Sequence, residues 1–235
     1  VSSATEFFSA GWEAYQAIVE HDYLWHVMAN DALRRTIDSR FGPQKPIRFL
    51  DLACGDAAST TRMLKDRAIS RYVGVDQSAP ALKTAALNVQ QLRCEAELVP
   101  ADFVAYLETT IERFDVIYVG LSAHHLGKAG LPRFFAAVRR CLAPSGFFAA
   151  FEPFTLPDET RDEHVERLCA IIDQFWIKMT PAQRAAVSAH IRASDHPIPL
   201  EFWNTFARNA GLTPAEVPMK SPDRVSQMVV HGLTP

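Results

Sequence analysis

From Ile47 onward, short apolar runs alternate with amphipathic stretches of helical length, and that alternation limits the possible folds more than any other feature. IRFLDL, RYVGVD, AELVPAD, FDVIYVGL and GFFAAFEP read as strands, with helical spacing over about 57–68, 78–92, 103–112 and 129–142 between them. A strand, a helix and a second strand in this order form a parallel unit, because the helix carries the chain back across the sheet. Runs such as DVIYVGL have no polar face and belong in a sheet covered on both sides. The C-terminal stretch LTPAEVPMKSPDRVSQMVVHGLTP adds strands at about 212–219 and 225–231, joined by a turn at Ser221-Pro222-Asp223. The expected fold is α/β: a doubly wound, Rossmann-like, mostly parallel seven-stranded sheet with a C-terminal antiparallel hairpin and an added helical cap.

The cap comes from two segments that lack the alternation. Residues 5 to about 40 carry Phe8, Trp12, Tyr15, Ile18 and Val19 at helical spacing, with a break near His21-Asp22. The prolines of GPQKP at 42–46 end that segment. Residues 157–178 and 181–194 read as two further helices, the second opened by Thr180-Pro181, and SDHPIPLEFW leads into a helix near 200–210. The expected organisation is a helical cap at 1–45, an α/β core at 46–153, an inserted helical lid at 154–198, and a helix with two antiparallel strands at 199–235.

Composition excludes several classes. A net charge of −3 with scattered Lys and Arg gives no general attraction for nucleic acid or an anionic membrane. The four cysteines (Cys54, Cys94, Cys141, Cys169) form no CxxC pair, which argues against a zinc knuckle or a disulfide framework. No apolar run approaches the roughly 18 residues of a membrane helix. VSSATEFFSAGW lacks the basic and apolar regions of a signal peptide, and the expected location is the cytoplasm.

The chemistry concentrates at strand ends, where open α/β sheets bind ligands. Asp51, Asp76 and Asp102 close the first three strands, and Gly55 follows the first in a tight turn. Asp76 follows Gly55 by about the 20 residues typical of a carboxylate that binds a ribose diol. The turn holds one glycine and two nearby carboxylates, Asp51 and Asp56, which would repel a pyrophosphate. A ribose-bearing ligand with a positive charge and no phosphate suits it better.

At this point the chain resembles the class I S-adenosylmethionine-dependent methyltransferases. DLACGDA is similar to their first motif, with Ala53 and Ala57 at two glycine positions; VGVD, PADF and FDVIYVGLSAHHL resemble the next three. The resemblance covers about 47–153 and implies S-adenosylmethionine as cofactor. It implies that Asp51 orients the loop or receives the methionine amine through water, that Gly55 lets the backbone approach the methionine portion, and that Ala53 and Ala57 make the loop slightly tighter. Asp76 would hold the ribose with Gln77 beside the adenine, and Asp102 would accept from the adenine amino group. Ala101 and Phe103 would flank the base, and Gly120 and Leu121 would line the sulfonium side.

Methyl transfer is an in-line displacement, and positioning in a dry pocket supplies much of its acceleration. His124 and His125 follow the fourth strand and are the candidate catalytic residues, since a near-neutral imidazole can take an acceptor's proton. Tyr15, His26 and Glu152 are the candidate substrate contacts. Trp12, Tyr23, Trp25, Phe175, Trp176, Phe202 and Trp203 offer a further aromatic roof or core packing for the helices. No metal is expected: His124-His125 and His190…Asp195-His196 could converge, yet no helix carries H-x-x-x-H or H-E-x-x-H, and solvated or cap-stabilising roles are expected for them. The expected function is methyl transfer to an oxygen or nitrogen of a small organic molecule, by a monomer or homodimer. The alternatives are a macromolecular methyltransferase, a nicotinamide-dependent oxidoreductase, and a non-catalytic nucleoside-binding protein.

Overall fold

Residues 12–234 are described by the computed structural model. Phe8 and the expected start of the first helix lie outside the described residues. Five parallel strands lead the sheet: β1 (Ile47–Leu52), β2 (Ile69–Asp76), β3 (Glu95–Pro100), β4 (Phe114–Gly120) and β5 (Leu142–Thr155). A two-residue β6 (Ile198–Pro199) pairs in parallel with the end of β5. β8 (Ser226–Gly232) runs antiparallel to β5, and β7 (Glu216–Lys220) runs antiparallel to β8. The resulting order, β3-β2-β1-β4-β5-β8-β7, reverses direction between β1 and β4. That reversal opens a crevice at the carboxyl ends of the strands. The expected seven strands are all present, and β6 is the addition.

Alternation along each strand divides the interior into two layers. Leu50, Leu52, Val73, Val75, Ile117, Val119, Phe148 and Ala150 face one side. There they meet α5 (Phe103–Thr109), α6 (Gly127–Cys141) and α9 (Leu200–Asn209), which buries Trp203. Phe49, Tyr72, Val116, Tyr118, Phe147, Ala149 and Phe151 face the other side. They pack on α2 (His26–Phe41), α3 (Ala58–Leu64) and α4 (Ala79–Asn88). α3 and α5 are shorter than their apolar spacing suggests: extended ψ values of 137° at Lys65 and 141° at Thr110 stop them.

The cap has a core of its own. α1 (Trp12–Glu20) contributes Ala14 and Ile18, α7 (Arg161–Phe175) Leu168, Cys169 and Ile172, and α8 (Pro181–Ser194) Val187 and Ile191; Trp176 and Val225 complete it. Thr160 with Glu163 and Thr180 with Gln183 form capping boxes that start α7 and α8. The N-terminal helix and the segment after β5, expected as separate units, therefore share one hydrophobic cluster.

The aromatic roof divides by role. Tyr23 stacks on Trp176 at 4.9 Å, Trp25 donates its indole N–H to Asp223, and Trp203 donates to His231 inside the sheet layer. Phe175 and Phe202 are exposed.

Candidate functional site

Three left-handed residues build the turn after β1: Ala53, Gly55 and Ala57 have φ of 52°, 55° and 55°. Alanine pays a steric cost in this region that glycine does not. Other bonds hold the turn in that shape. Cys54 N–H donates to the Val75 carbonyl at 3.1 Å, and Gly55 N–H donates to Asp76 Oδ2 at 2.8 Å. A Cβ built on Gly55 would meet no atom within 4 Å, so this backbone is open to a ligand.

The carboxylates at the strand ends differ in environment. Asp51 is buried on the Phe49 face of β1 and accepts from Tyr72 Oη at 2.7 Å. Burial pushes its pKa up to about 7, against the opposing hydrogen bonds from Tyr72 and Thr60. Asp76 accepts from Gly55 N–H and, through Oδ1, from Ser78 N–H at 2.7 Å, so it fixes the turn as well as facing the crevice. Asp102 caps α5, with Oδ1 accepting from Val104 and Ala105 N–H, and its Oδ2 accepts from Gln77 Nε2 at 3.1 Å.

Beyond β4, Leu121 takes a left-handed φ of 52° and donates its N–H to Phe151 O at 2.7 Å. Glu152 then corrects the sequence expectation. It is only 1% exposed and does not line the main cavity. Its carboxylate accepts from the backbone N–H groups of Ser122, Ala123 and His124 at 3.0, 2.9 and 3.2 Å, and from His124 Nδ1 at 2.7 Å. Those are the unpaired donors at the start of a short 3-10 turn, Ala123–Leu126. Glu152 is thus a cap for that turn and an anchor for His124, with no acceptor left facing a substrate.

The two histidines are held in different states. Burial disfavours charge on His124, but Asp195 and Glu152 on either side outweigh it and raise its pKa to about 10. A histidine that keeps its proton is a poor general base, which corrects that expectation for His124. Burial and the neighbouring His124 charge lower His125 to about 4. A carbonyl only accepts, so His125 must donate Nδ1–H to Ser194 O at 3.0 Å, and its Nε2 carries the lone pair. His190 packs edge-on to His125 at 5.7 Å.

The residues expected at the site, Glu152 excepted, line one continuous cavity of about 460 Å³. One end holds Asp51, Ala53, Gly55, Asp76, Gln77, Ala101, Asp102 and Phe103; Gly120 and Leu121 mark the middle, and His124, His125, His190 and Asp195 the other end. Tyr15 and His26 line it as expected, under an apolar roof of Ile18, Leu24, Leu168, Trp176 and Ile191. Burial, with Asp56 and Asp76 nearby, holds the Tyr15 phenol protonated. Asn30, Ser59, Thr60 and Tyr118 also line the cavity and gave no sequence signal. His196 does not line it and sits beside Gly127.

A strand-order reversal, carboxylates closing β1, β2 and β3, and a left-handed turn open to the crevice define a nucleoside-binding α/β protein. Residues 49–146 match the family described as "Methyltransferase domain", and the chain carries a domain of the class I S-adenosylmethionine-dependent methyltransferase kind. Trans-aconitate 2-methyltransferase from Acidovorax sp. (strain JS42) is 31% identical over 119 residues, which cover 50% of this chain and 43% of that protein. The chain thus spans less than half the length of that relative. The S-adenosylmethionine-dependent methyltransferase SibL superposes with a TM-score of 0.60 at 16% identity, over 91% of this chain and 57% of that one. A cyclopropane synthase from Mycobacterium tuberculosis gives 0.54 at 19% identity, over 76% and 60%. At such identities the structures speak for the fold.

The family's cofactor is S-adenosylmethionine, and the residues present fit it. Gly55 leaves space where a side chain would stand, and Asp51, Asp76 and Asp102 provide acceptors with no phosphate-binding cation among them.

Proposed function

We propose that the protein transfers a methyl group to an oxygen or nitrogen of a small organic molecule that is neutral or cationic. The continuity of the cavity carries this reading: the end lined by Asp76 and Asp102 runs past Gly120 and Leu121 to His125 and His190 without leaving the cap. Asp76 would accept from the ribose hydroxyls with its remaining lone pairs, and Asp102 Oδ2 with Gln77 would meet the adenine edge. Asp51 would receive the methionine ammonium. S-adenosylmethionine, when bound, supplies an electrophilic methyl carbon. Around the acceptor the chain's own work is to exclude water and hold one orientation, with His125 and Tyr15 as polar contacts.

The apolar roof supports a small acceptor, since it covers the end of the cavity where a macromolecular substrate would need an open groove. The chain's net charge of −3 also speaks against nucleic acid. No helix among the described residues is long and apolar enough to cross a membrane. The test is transfer of labelled methyl from S-adenosylmethionine into a cell extract, followed by ultrafiltration. Label in the small-molecule filtrate is expected. Label retained on macromolecules, or no transfer to any fraction, would overturn the reading.

A further inference from the structure

We propose that His124, His125 and Asp195 form a binding site for one divalent transition-metal ion of the zinc class, at the acceptor end of the cavity. A ring nitrogen from each histidine and a carboxylate oxygen of Asp195 lie within 4.8 Å of one another, and all three residues line the cavity.

The spacing is that of ligands sharing an ion. His124 Nε2 stands 3.5 Å from Asp195 Oδ1. A charge-assisted N–H···O bond closes to about 2.7–2.9 Å, whereas two ligands about 2.1 Å from one tetrahedral zinc stand roughly 3.4 Å apart. Asp195 is 8% exposed, and its Oδ1 has no hydrogen-bond donor among the described residues. A buried carboxylate oxygen aimed at an imidazole nitrogen, too far for a hydrogen bond, leaves room for a cation between them.

The supporting contacts match those of a metal centre. Ligating histidines characteristically donate their second ring N–H to a carboxylate or a backbone carbonyl, which fixes the tautomer. His124 donates Nδ1–H to Glu152 at 2.7 Å, and its Nε2, which faces Asp195, must release its proton to solvent as the ion binds. His125 donates Nδ1–H to Ser194 O at 3.0 Å, leaving Nε2 as its lone pair. Arg161 Nε holds the Asp195 carbonyl at 2.9 Å, fixing the backbone of the third ligand. The His125 nitrogen nearest Asp195 Oδ1 is Nδ1, at 3.7 Å, so the ring must turn to bring Nε2 to the ion, and an exogenous oxygen would then complete a four-ligand set. An acceptor hydroxyl is the chemistry that suits it. That role rests on the proposed methyl transfer; binding of the ion does not.

The experiment titrates chelator-treated protein with Zn²⁺ by calorimetry and with Co²⁺ by visible absorption. The wild type, Asp195→Asn and His125→Ala are compared, with circular dichroism to confirm folding. One ion per chain is expected, with tetrahedral-type Co²⁺ bands, and at least about tenfold weaker binding in each folded variant. Unsaturable or substoichiometric binding to the wild type, or titrations unchanged in both variants, would overturn the site. Zinc binding without methyl transfer would keep the site and sink the proposed function. Methyl transfer by a protein that binds no zinc would do the reverse.

Discussion

Asp76 serves the fold and the crevice together, and its two duties separate by substitution. Its oxygens hold Gly55 N–H and Ser78 N–H at 2.8 and 2.7 Å while it lines the cavity. Asp76→Ala should weaken S-adenosylmethionine binding by roughly 1.5–3 kcal/mol, the range for hydrogen bonds to charged groups. Because Gly55 then loses its acceptor, thermal stability should fall as well, by about 1 kcal/mol. Calorimetry and melting curves measure the two effects, and unchanged affinity would remove the ribose assignment. Asp51 makes a prediction in pH. Its folded pKa is raised to about 7, so the folded state keeps a proton that the unfolded chain has released. By linkage, Asp51 makes the ligand-free protein less stable as pH rises from about 4 through 7. A bound ammonium favours the carboxylate, so cofactor affinity should rise between pH 6 and 8 with release of a proton. Calorimetry in buffers of different ionisation enthalpy measures that release, and Asp51→Asn should abolish it. Equal proton release in that variant would take the ammonium contact away from Asp51.

The turn after β1 shows how an element imposes a conformation on residues that resist it. Ala53 and Ala57 stand where the family carries glycine and still take φ of 52° and 55°. Ala53 is half-buried, whereas Ala57 is packed in the core. Ala53→Gly should therefore raise stability by up to about 1 kcal/mol, the relief of left-handed strain less the entropy glycine loses. A lower melting temperature would mean that the methyl packs usefully. The strands and their order were readable because burial on two faces writes itself into unbroken apolar runs. Helix ends were less readable, because single torsions at Lys65 and Thr110 decide them. Asp51, Asp76 and Asp102 were legible from position alone. The histidine end was not: His125 and Ser194 meet across 69 residues through the docking of α8, which local spacing does not encode. Glu152 was misread because a strand-end carboxylate looks the same whether it faces a ligand or caps a turn. At the scale of the cap, α1, α2, α7 and α8 all contribute cavity residues, and Pro157, Pro181, Pro197 and Pro199 mark its joints. S-adenosylhomocysteine should slow amide exchange in these helices more than in the C-terminal half of α6. Protection confined to Gly55, Asp76 and Asp102 would make the cap structural and withdraw Tyr15 and His26 from the site.

Across the whole molecule, the distribution of charge bears on which acceptor the proposed reaction would take. The chain carries 24 Lys and Arg, yet none is among the described residues that line the cavity, and residues 1–11 contain neither. Several basic side chains are engaged elsewhere: Arg71 with Glu95, Glu97 and Glu112, Arg192 with Glu166, and Arg167 with Glu159. The cavity instead presents Asp76, Asp102 and Asp195, with Asp51 raised to a pKa of about 7, and a cation, the protonated His124 between Glu152 and Asp195. A unit charge about 6 Å from one carboxylate interacts by about 3 kcal/mol at an effective dielectric of 20. A cationic acceptor would gain from that field, and a tricarboxylate would meet repulsion offset only by His124, whose charge is already shared with Glu152 and Asp195. Trans-aconitate, the substrate in the name of the Acidovorax relative, is such a tricarboxylate. On the proposed function, the acidic lining would favour acceptors other than a tricarboxylate. Measured on chelator-treated protein, so that no metal ion contributes, small phenols and amines should show kcat/KM at least about 100-fold above that for trans-aconitate, the equivalent of one such contact. Comparable kcat/KM for trans-aconitate would mean that the acidic lining does not repel a tricarboxylate, and the charge argument would fail.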